Sequence, residues 1–299
     1  MATTNFGEYE KQIEKALKPY DIGIWRMKPN PLKKLIKSRQ LVLGLEQRWF
    51  VHALDMNFMG YISQAGYDFV VVDTEHTPWY GLEGCVTAMI AAEAHGIVPN
   101  IRISGPFEPI LVTKALEIGA YGVWVPHVNT VEDAKKMVAA AKFKIPGWEF
   151  GERGISGDMR FDGYGRTPEL VGPENFQRFC NENTMVTLLA LESQEAMENF
   201  EDIISVPGVD MISLSTGDIA QCLGYPRQHM HPEVLKKRDW ALELCQERGM
   251  PVYLPAGALR PEYVKYYWDK GVHIFHANLF GPVRKACYDS VTKMREICK

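Results

Sequence analysis

From about Leu41 onward the chain alternates between short apolar runs and longer stretches whose apolar residues recur at helical spacing. The runs are Leu41–Leu45, Phe69–Asp73, Val98–Ile103, Gly122–Pro126, Val186–Leu191, Met211–Leu214, Pro251–Leu254 and Val272–His276. Their apolar residues are consecutive and do not alternate, as parallel strands covered on both faces require. The stretches between them predict helices over Leu82–His95, Glu108–Ile118, Val131–Ala141, Gln194–Ile204, Pro232–Arg248 and Pro261–Lys270. Thr130 and Ser193 are placed to cap two of these, with Glu195 and Glu198 in early turns, where the helix dipole favours acids. Gly96, Gly119, Gly249 and Gly271 stand at the stops as left-handed terminators. Eight runs alternating with helices predict an α/β fold, a closed (β/α)8 barrel, with an open doubly wound sheet as the alternative.

The same pattern divides the chain. Residues 1–29 read as an N-terminal extension, with a short amphipathic helix over Tyr9–Leu17 broken by Pro19, Pro29 and Pro31. Residues 30–299 read as one barrel domain, a size that suits this fold. The stretch Phe143–Thr184 is long and rich in glycine, and is expected to be a functional lid.

Composition narrows the partners. With 46% hydrophobic residues the chain can bury a sizeable core, and a net charge of −4 without a basic block argues against nucleic acid. No apolar run is long enough to cross a bilayer. The first residues lack a basic end followed by an apolar stretch, so no secretory signal is expected. The six cysteines include no Cys-x-x-Cys pair. A reducing cytoplasm with free thiols is the simplest expectation.

Charged residues fall at or just beyond the carboxyl ends of successive runs: Asp73, Glu75 and His76, then Arg102, His127, Glu192 and Asp218. In barrels of this class that rim carries the chemistry. Glu192 and Asp218 follow neighbouring strands, so their carboxylates should approach each other. Such a pair with open water positions suits Mg²⁺ or Mn²⁺; the alternative is that each merely caps a helix. His76 on a strand-to-helix loop can move a proton near neutral pH, or only bond the backbone. Arg102 at the end of an apolar strand needs an anion, either a ligand's or that of a structural partner such as Asp73. Ser215-Thr216-Gly217-Asp218 begins a short helix whose amides can seat a carboxylate. Cys222 reads as packing, His229 and His231 as surface residues, and His276 as a residue that could face the rim.

At these residues the chain resembles the metal-dependent 2-oxo-acid aldolases of the HpcH/HpaI aldolase/citrate lyase family. The resemblance runs from about Asn30 to about Lys285. It rests on Ala65–His76, which ends Asp73-Thr-Glu-His76, on Ile101-Arg102, Ala120–Pro126, Gly151-Glu-Arg-Gly154, Leu191-Glu192, and Gly208-Val-Asp210 through Gly217-Asp-Ile219. It implies a pyruvate-type TIM barrel that cleaves a 4-hydroxy-2-oxo acid to pyruvate, or a related 2-oxo acid, and an aldehyde. Glu192 and Asp218 would ligate a divalent ion, with Mg²⁺ ahead of Mn²⁺ or Co²⁺. Arg102 would share the charge of the enolate. His76, helped by Asp73, would exchange the proton of the aldol hydroxyl. Thr216, Gly217, Asp218 and Pro126 would contact the substrate. It also implies a homo-oligomer, a hexamer built as a trimer of dimers by exchange of the last helix, about Pro282–Ile297.

The chain departs from the family pattern at three places. Ala190 stands where a Gln usually precedes the metal Glu by two residues, and Ser215-Thr216 replaces a Gly-Pro pair. The loop Gly44–Gly66, which reads Glu46-Gln-Arg-Trp49, is longer than usual. These changes keep two alternatives open: a decarboxylase or other enolate-forming lyase on oxaloacetate-like substrates, and a non-catalytic barrel with a binding role.

Overall fold

The computed structural model describes residues 27, 29–38, 40–47, 56–77, 82–255 and 261–298. Eight described strands, all parallel, close into a barrel in chain order. They are β1 Val42–Gln47, β2 Phe69–Asp73, β3 Val98–Arg102, β4 Gly122–Val125, β5 Met185–Ala190, β6 Met211–Leu214, β7 Val252–Pro255 and β8 Ile274–Ala277. The open sheet is ruled out because β1 pairs with β8, placing Val42 opposite Ile274 and Leu45 opposite Ala277.

The consecutive apolar runs are explained by two cores. Val70 and Val72 point outward into the layer beneath the helices, while Phe69 and Val71 point inward. Inside the barrel Phe69, Trp124 and Tyr253 pack ring to ring, with centroids 5.9 Å apart for Phe69–Trp124 and 4.4 Å for Trp124–Tyr253. Gly44 makes room for this: a Cβ there would lie 2.1 Å from the Phe69 ring. Helix Pro31–Leu35 delivers Leu32, fully buried, into the same inner core. Asn30 caps that helix and ties it to the starts of β4 and β5, donating from Nδ2 to the carbonyls of Tyr121 and Asn183.

Local signals hold where a side chain enforces them. Thr130 accepts from the amide of Asp133, and the Asp133 side chain answers to the Thr130 amide, completing a capping box for helix Val131–Ala141. The single helix expected over Gln194–Ile204 is instead two, Gln194–Glu198 and Phe200–Ile203. It breaks at Asn199, whose side chain donates to the carbonyl of Asn129.

The segment Phe143–Thr184 is not a lid over the rim. It follows a helix, so it leads back to the amino end of β5, and it folds into helices Arg166–Val171 and Pro173–Asn183. There Phe143, Phe161 and Phe176 form a small core of their own. Arg153 lies between two of these rings, 4.6 Å from the Phe143 centroid and 4.5 Å from that of Phe161. Lys142, buried beneath, donates to the carbonyls of Asn181 and Thr184 at 2.7 and 2.8 Å.

β1 runs two residues beyond its predicted end, so Glu46 belongs to the strand and not to the loop. The helix expected over Tyr9–Leu17 and the loop tip at Trp49 lie outside the described residues. The last helix, Phe280–Ile297, has no buried residue. Among the described residues no helix is long and apolar enough to cross a membrane.

Candidate active site

At the carboxyl end of the barrel a cavity of about 490 Å³ opens, lined by Glu46, His76, Arg102, Glu192, Thr216, Gly217, Asp218, Tyr263 and His276 among others. Its two walls are built differently.

On one wall the backbone turns sharply at two strand ends. His127 after β4 and Leu191 after β5 are left-handed, with φ of 57° and 68°. A non-glycine residue there costs roughly 1–2 kcal/mol, and such residues cluster where function fixes the chain. The turn at His127 aims its amide at Glu192, donating to Oε2 at 2.6 Å. Leu191 turns the chain so that Glu192 faces the cavity. Burial, then the charge of Asp218, raises the Glu192 carboxyl to about 7, against the pull of the His127 amide and the charges of Arg102 and His127. Asp218 sits in the first turn of helix Thr216–Cys222. A Cβ on Gly217 would find nothing nearer than Ser215 Oγ at 3.7 Å and His229 at 3.9 Å, so its bare face opens on the cavity. Cys222 donates from Sγ to the Glu192 carbonyl, and burial together with Asp218 and Glu192 pushes its thiol up, as befits a non-nucleophile.

The opposite wall is an acid cage around Arg102. Nη1 donates to Glu46 Oε1 at 2.9 Å and lies 3.5 Å from Asp73 Oδ2; Nη2 pairs with Glu75. Burial opposes the guanidinium's charge, but Asp73, Glu46, Glu75 and Glu192 outweigh it and hold its pKa above the ordinary value. Asp73 shapes the loop through the backbone, accepting from the amides of Glu75 and His76. The His76 ring is half exposed, 3.6 Å from Glu75 Oε1 and 3.5 Å from Arg102 Nη2. Glu75 also meets the His127 ring at 2.9 Å. Glu46 bridges onward to His276 Nε2 at 3.0 Å, and the His276 ring stacks on Tyr253.

The cavity thus gathers His76, Arg102, Glu192, Thr216, Gly217 and Asp218. Asp73 is buried and acts from behind, and Pro126 is buried and does not line the cavity. His229, read from sequence as a surface residue, lines it; His276 does so as well. Ala190 points into the outer core, and the β5 residue facing the cavity is Leu189. Glu46, Tyr253 and Tyr263 were not singled out as site residues. The alternation of β1, with Val42 and Gly44 inward, would have placed Glu46 inside.

Acids, a guanidinium and imidazoles on the strand ends of a closed parallel barrel define an enzyme with its site at the carboxyl mouth. The profile of the HpcH/HpaI aldolase/citrate lyase family matches residues 48–256, and the chain belongs to that family, which makes it a carbon–carbon lyase. It is 32% identical over 201 residues to a pyruvate aldolase from Rhizobium etli, covering 67% of this chain and 72% of that one. It is 30% identical over 216 residues to a 2-dehydro-3,6-dideoxy-6-sulfogluconate aldolase from Pseudomonas putida, covering 70% and 76%. A crystal structure of a family protein from Burkholderia cenocepacia superposes with a TM-score of 0.76 at 25% identity, covering 89% of this chain and 99% of that one.

Proposed function

We propose that the chain cleaves a 4-hydroxy-2-oxo acid to pyruvate, or a related 2-oxo acid, and an aldehyde, with a divalent ion held by Glu192 and Asp218. The observation that carries this reading is that Glu192 and Asp218 line the same cavity at the ends of neighbouring strands; burial first, and then the charge of Asp218, push the Glu192 carboxyl up to about 7. That donor set fits a hard divalent ion that keeps waters and accepts substrate oxygens, Mg²⁺ first, Mn²⁺ or Co²⁺ next. Among the described residues no group of three or more His, Cys, Asp or Glu could cage a metal by itself, so the remaining positions would go to water and substrate. Bound there, the ion would supply Lewis-acid stabilisation of the enolate.

The chain's own residues do the rest. The amides at Thr216–Asp218 seat the 2-oxo acid's carboxylate. Arg102, fixed by its acid cage, places a rigid positive charge beside the developing oxyanion. His76, half exposed and poised against Glu75, takes the proton of the C4 hydroxyl as the carbon–carbon bond breaks and returns it in the reverse direction. Pyruvate released from a panel of 4-hydroxy-2-oxo acids, and lost on chelation, is the expected result. Consumption of oxaloacetate without pyruvate release from that panel would instead select the decarboxylase alternative.

The chain assembles as a hexamer, a trimer of dimers that exchange the last helix. Helix Phe280–Ile297 exposes Val283, Tyr288, Val291, Met294 and Ile297, while an apolar groove beside the barrel, lined by Leu41, Val264 and Trp268, offers a seat for a partner's copy. Truncation after residue 279 should reduce the particle to smaller species by light scattering; an unchanged mass would refute the exchange.

A further inference from the structure

Closure of the barrel sets a glutamate of the first strand against a histidine of the last. His276 on β8 stands opposite Gly44 on β1, and Glu46 is the next inward residue of β1. Glu46 Oε2 lies 3.0 Å from His276 Nε2, and both side chains line the active-site cavity although they are buried. An ionised carboxylate only accepts, so Nε2 carries the hydrogen of this bond. The ring itself is held by its stack on Tyr253, with centroids 4.8 Å apart. Its Nδ1 has no hydrogen-bond partner among the described residues, so the bond to Glu46 is the ring's one polar commitment there.

The other oxygen of Glu46 ties this pair to the chemistry, because Oε1 accepts from Arg102 Nη1 at 2.9 Å. The remaining acids fix that guanidinium less firmly. Asp73 gives Oδ1 to the amides of Glu75 and His76, and its Oδ2 stands 3.5 Å from Nη1. Glu75 pairs with Nη2, but it lies beyond the end of β2 and also meets the His127 and His76 rings. Arg102 Nε is buried and has no partner among the described residues. Of the three acids, Glu46 alone combines a place within a strand with a short bond to Nη1, so it governs how the guanidinium is turned. Direction matters here, because a donor stabilises a developing charge only if it is already aimed at it.

We propose that His276 is a positioning residue of this site: by holding Glu46 Oε2 it sets Oε1 against Arg102 Nη1, and so keeps the guanidinium aimed at the oxygen on which negative charge develops. This rests on the lyase reading above, in which Arg102 stabilises the enolate. Released from the imidazole, Glu46 regains the rotamers of a long side chain, and Arg102 keeps its charge but loses its fixed direction. The effect should fall on a ligand that is negative at that oxygen and spare one that has a neutral ketone there.

The test compares oxalate with pyruvate, binding to the full chain with Mg²⁺ present, by calorimetry. Both offer two neighbouring oxygens to the ion, but oxalate carries charge where pyruvate has its ketone, as the enolate does. The wild type should bind oxalate roughly tenfold or more tightly than pyruvate. His276→Phe keeps the stack on Tyr253 and removes the donor. It should lower oxalate affinity roughly tenfold, the worth of a charge-assisted hydrogen bond, while pyruvate affinity moves by less than about twofold. His276→Gln still has a donor for Glu46 and should restore most of the loss. In a Glu46→Ala background, adding His276→Phe should change oxalate affinity by less than about twofold, because the imidazole then has no carboxylate to hold. A wild type without the oxalate preference or binding neither ligand, a His276→Phe protein that keeps the preference or loses both ligands equally, no recovery in His276→Gln, or a further drop in the Glu46→Ala background would overturn the proposal. The lyase reading fails separately: a His276-dependent oxalate preference in a protein that releases no pyruvate from any 4-hydroxy-2-oxo acid leaves the positioning role standing.

Discussion

Glu192→Gln should abolish divalent-ion binding and lower kcat for pyruvate release by roughly 10³-fold, several kcal/mol of lost Lewis-acid assistance. Gln keeps the shape and can still accept from the His127 amide, so the fold should survive. The same substitution should change how stability responds to pH. In the ion-free protein the Glu192 carboxyl is raised from 4.5 to about 7. The folded state therefore holds this proton more tightly than the unfolded chain does. That contribution is full below about 4.5 and disappears as pH rises through about 7, a loss on the order of 3 kcal/mol. Thermal midpoints of the ion-free wild type should fall across this window, recover on adding Mg²⁺ at the upper end, and stay flat through it in Glu192→Gln. A variant that binds Mn²⁺ as tightly as the wild type by titration calorimetry would remove Glu192 from the ion's ligands.

Substituting Arg102 should separate its two roles. Arg102→Lys keeps a positive charge but loses the planar fork that spans Glu46, Asp73 and Glu75, and should lower kcat by roughly 10²-fold with a smaller change in KM. Arg102→Met leaves those acids buried without their cation and should cost about 3–5 kcal/mol of stability, read as a drop in denaturation midpoint. Adding Glu46→Gln to Arg102→Met should restore part of the stability and none of the activity. An Arg102→Met protein as stable as the wild type would show that the cage carries no net strain when emptied.

The strands were legible because burial on both faces writes itself into consecutive apolar residues: Phe69–Asp73 and Met211–Leu214 lie where the pattern puts them. Helix Val131–Ala141 was legible because Thr130 and Asp133 cap it locally. The rim acids were legible because each follows such a strand. What was hidden depends on closure. The pairing of β1 with β8 brings Glu46 to His276, from opposite ends of the chain, and no local pattern announces that contact. Likewise Arg238 reads as an ordinary helix residue until helix Pro261–Asp269 packs two tyrosines over it. The misplaced lid has a different cause. Length and glycine content mark Phe143–Thr184 as irregular but do not say which end of the barrel it serves, and helix Val131–Ala141 returns the chain to the amino end before the segment begins.

Exchange of the pyruvate methyl protons with solvent deuterium, followed by NMR as Mg²⁺ is added and then chelated, isolates enolate formation from any question of the aldehyde. Exchange should need the ion, stop on chelation, and be absent in both Glu192→Gln and Asp218→Asn. Exchange that persists in chelator, or that survives in either variant, would contradict it.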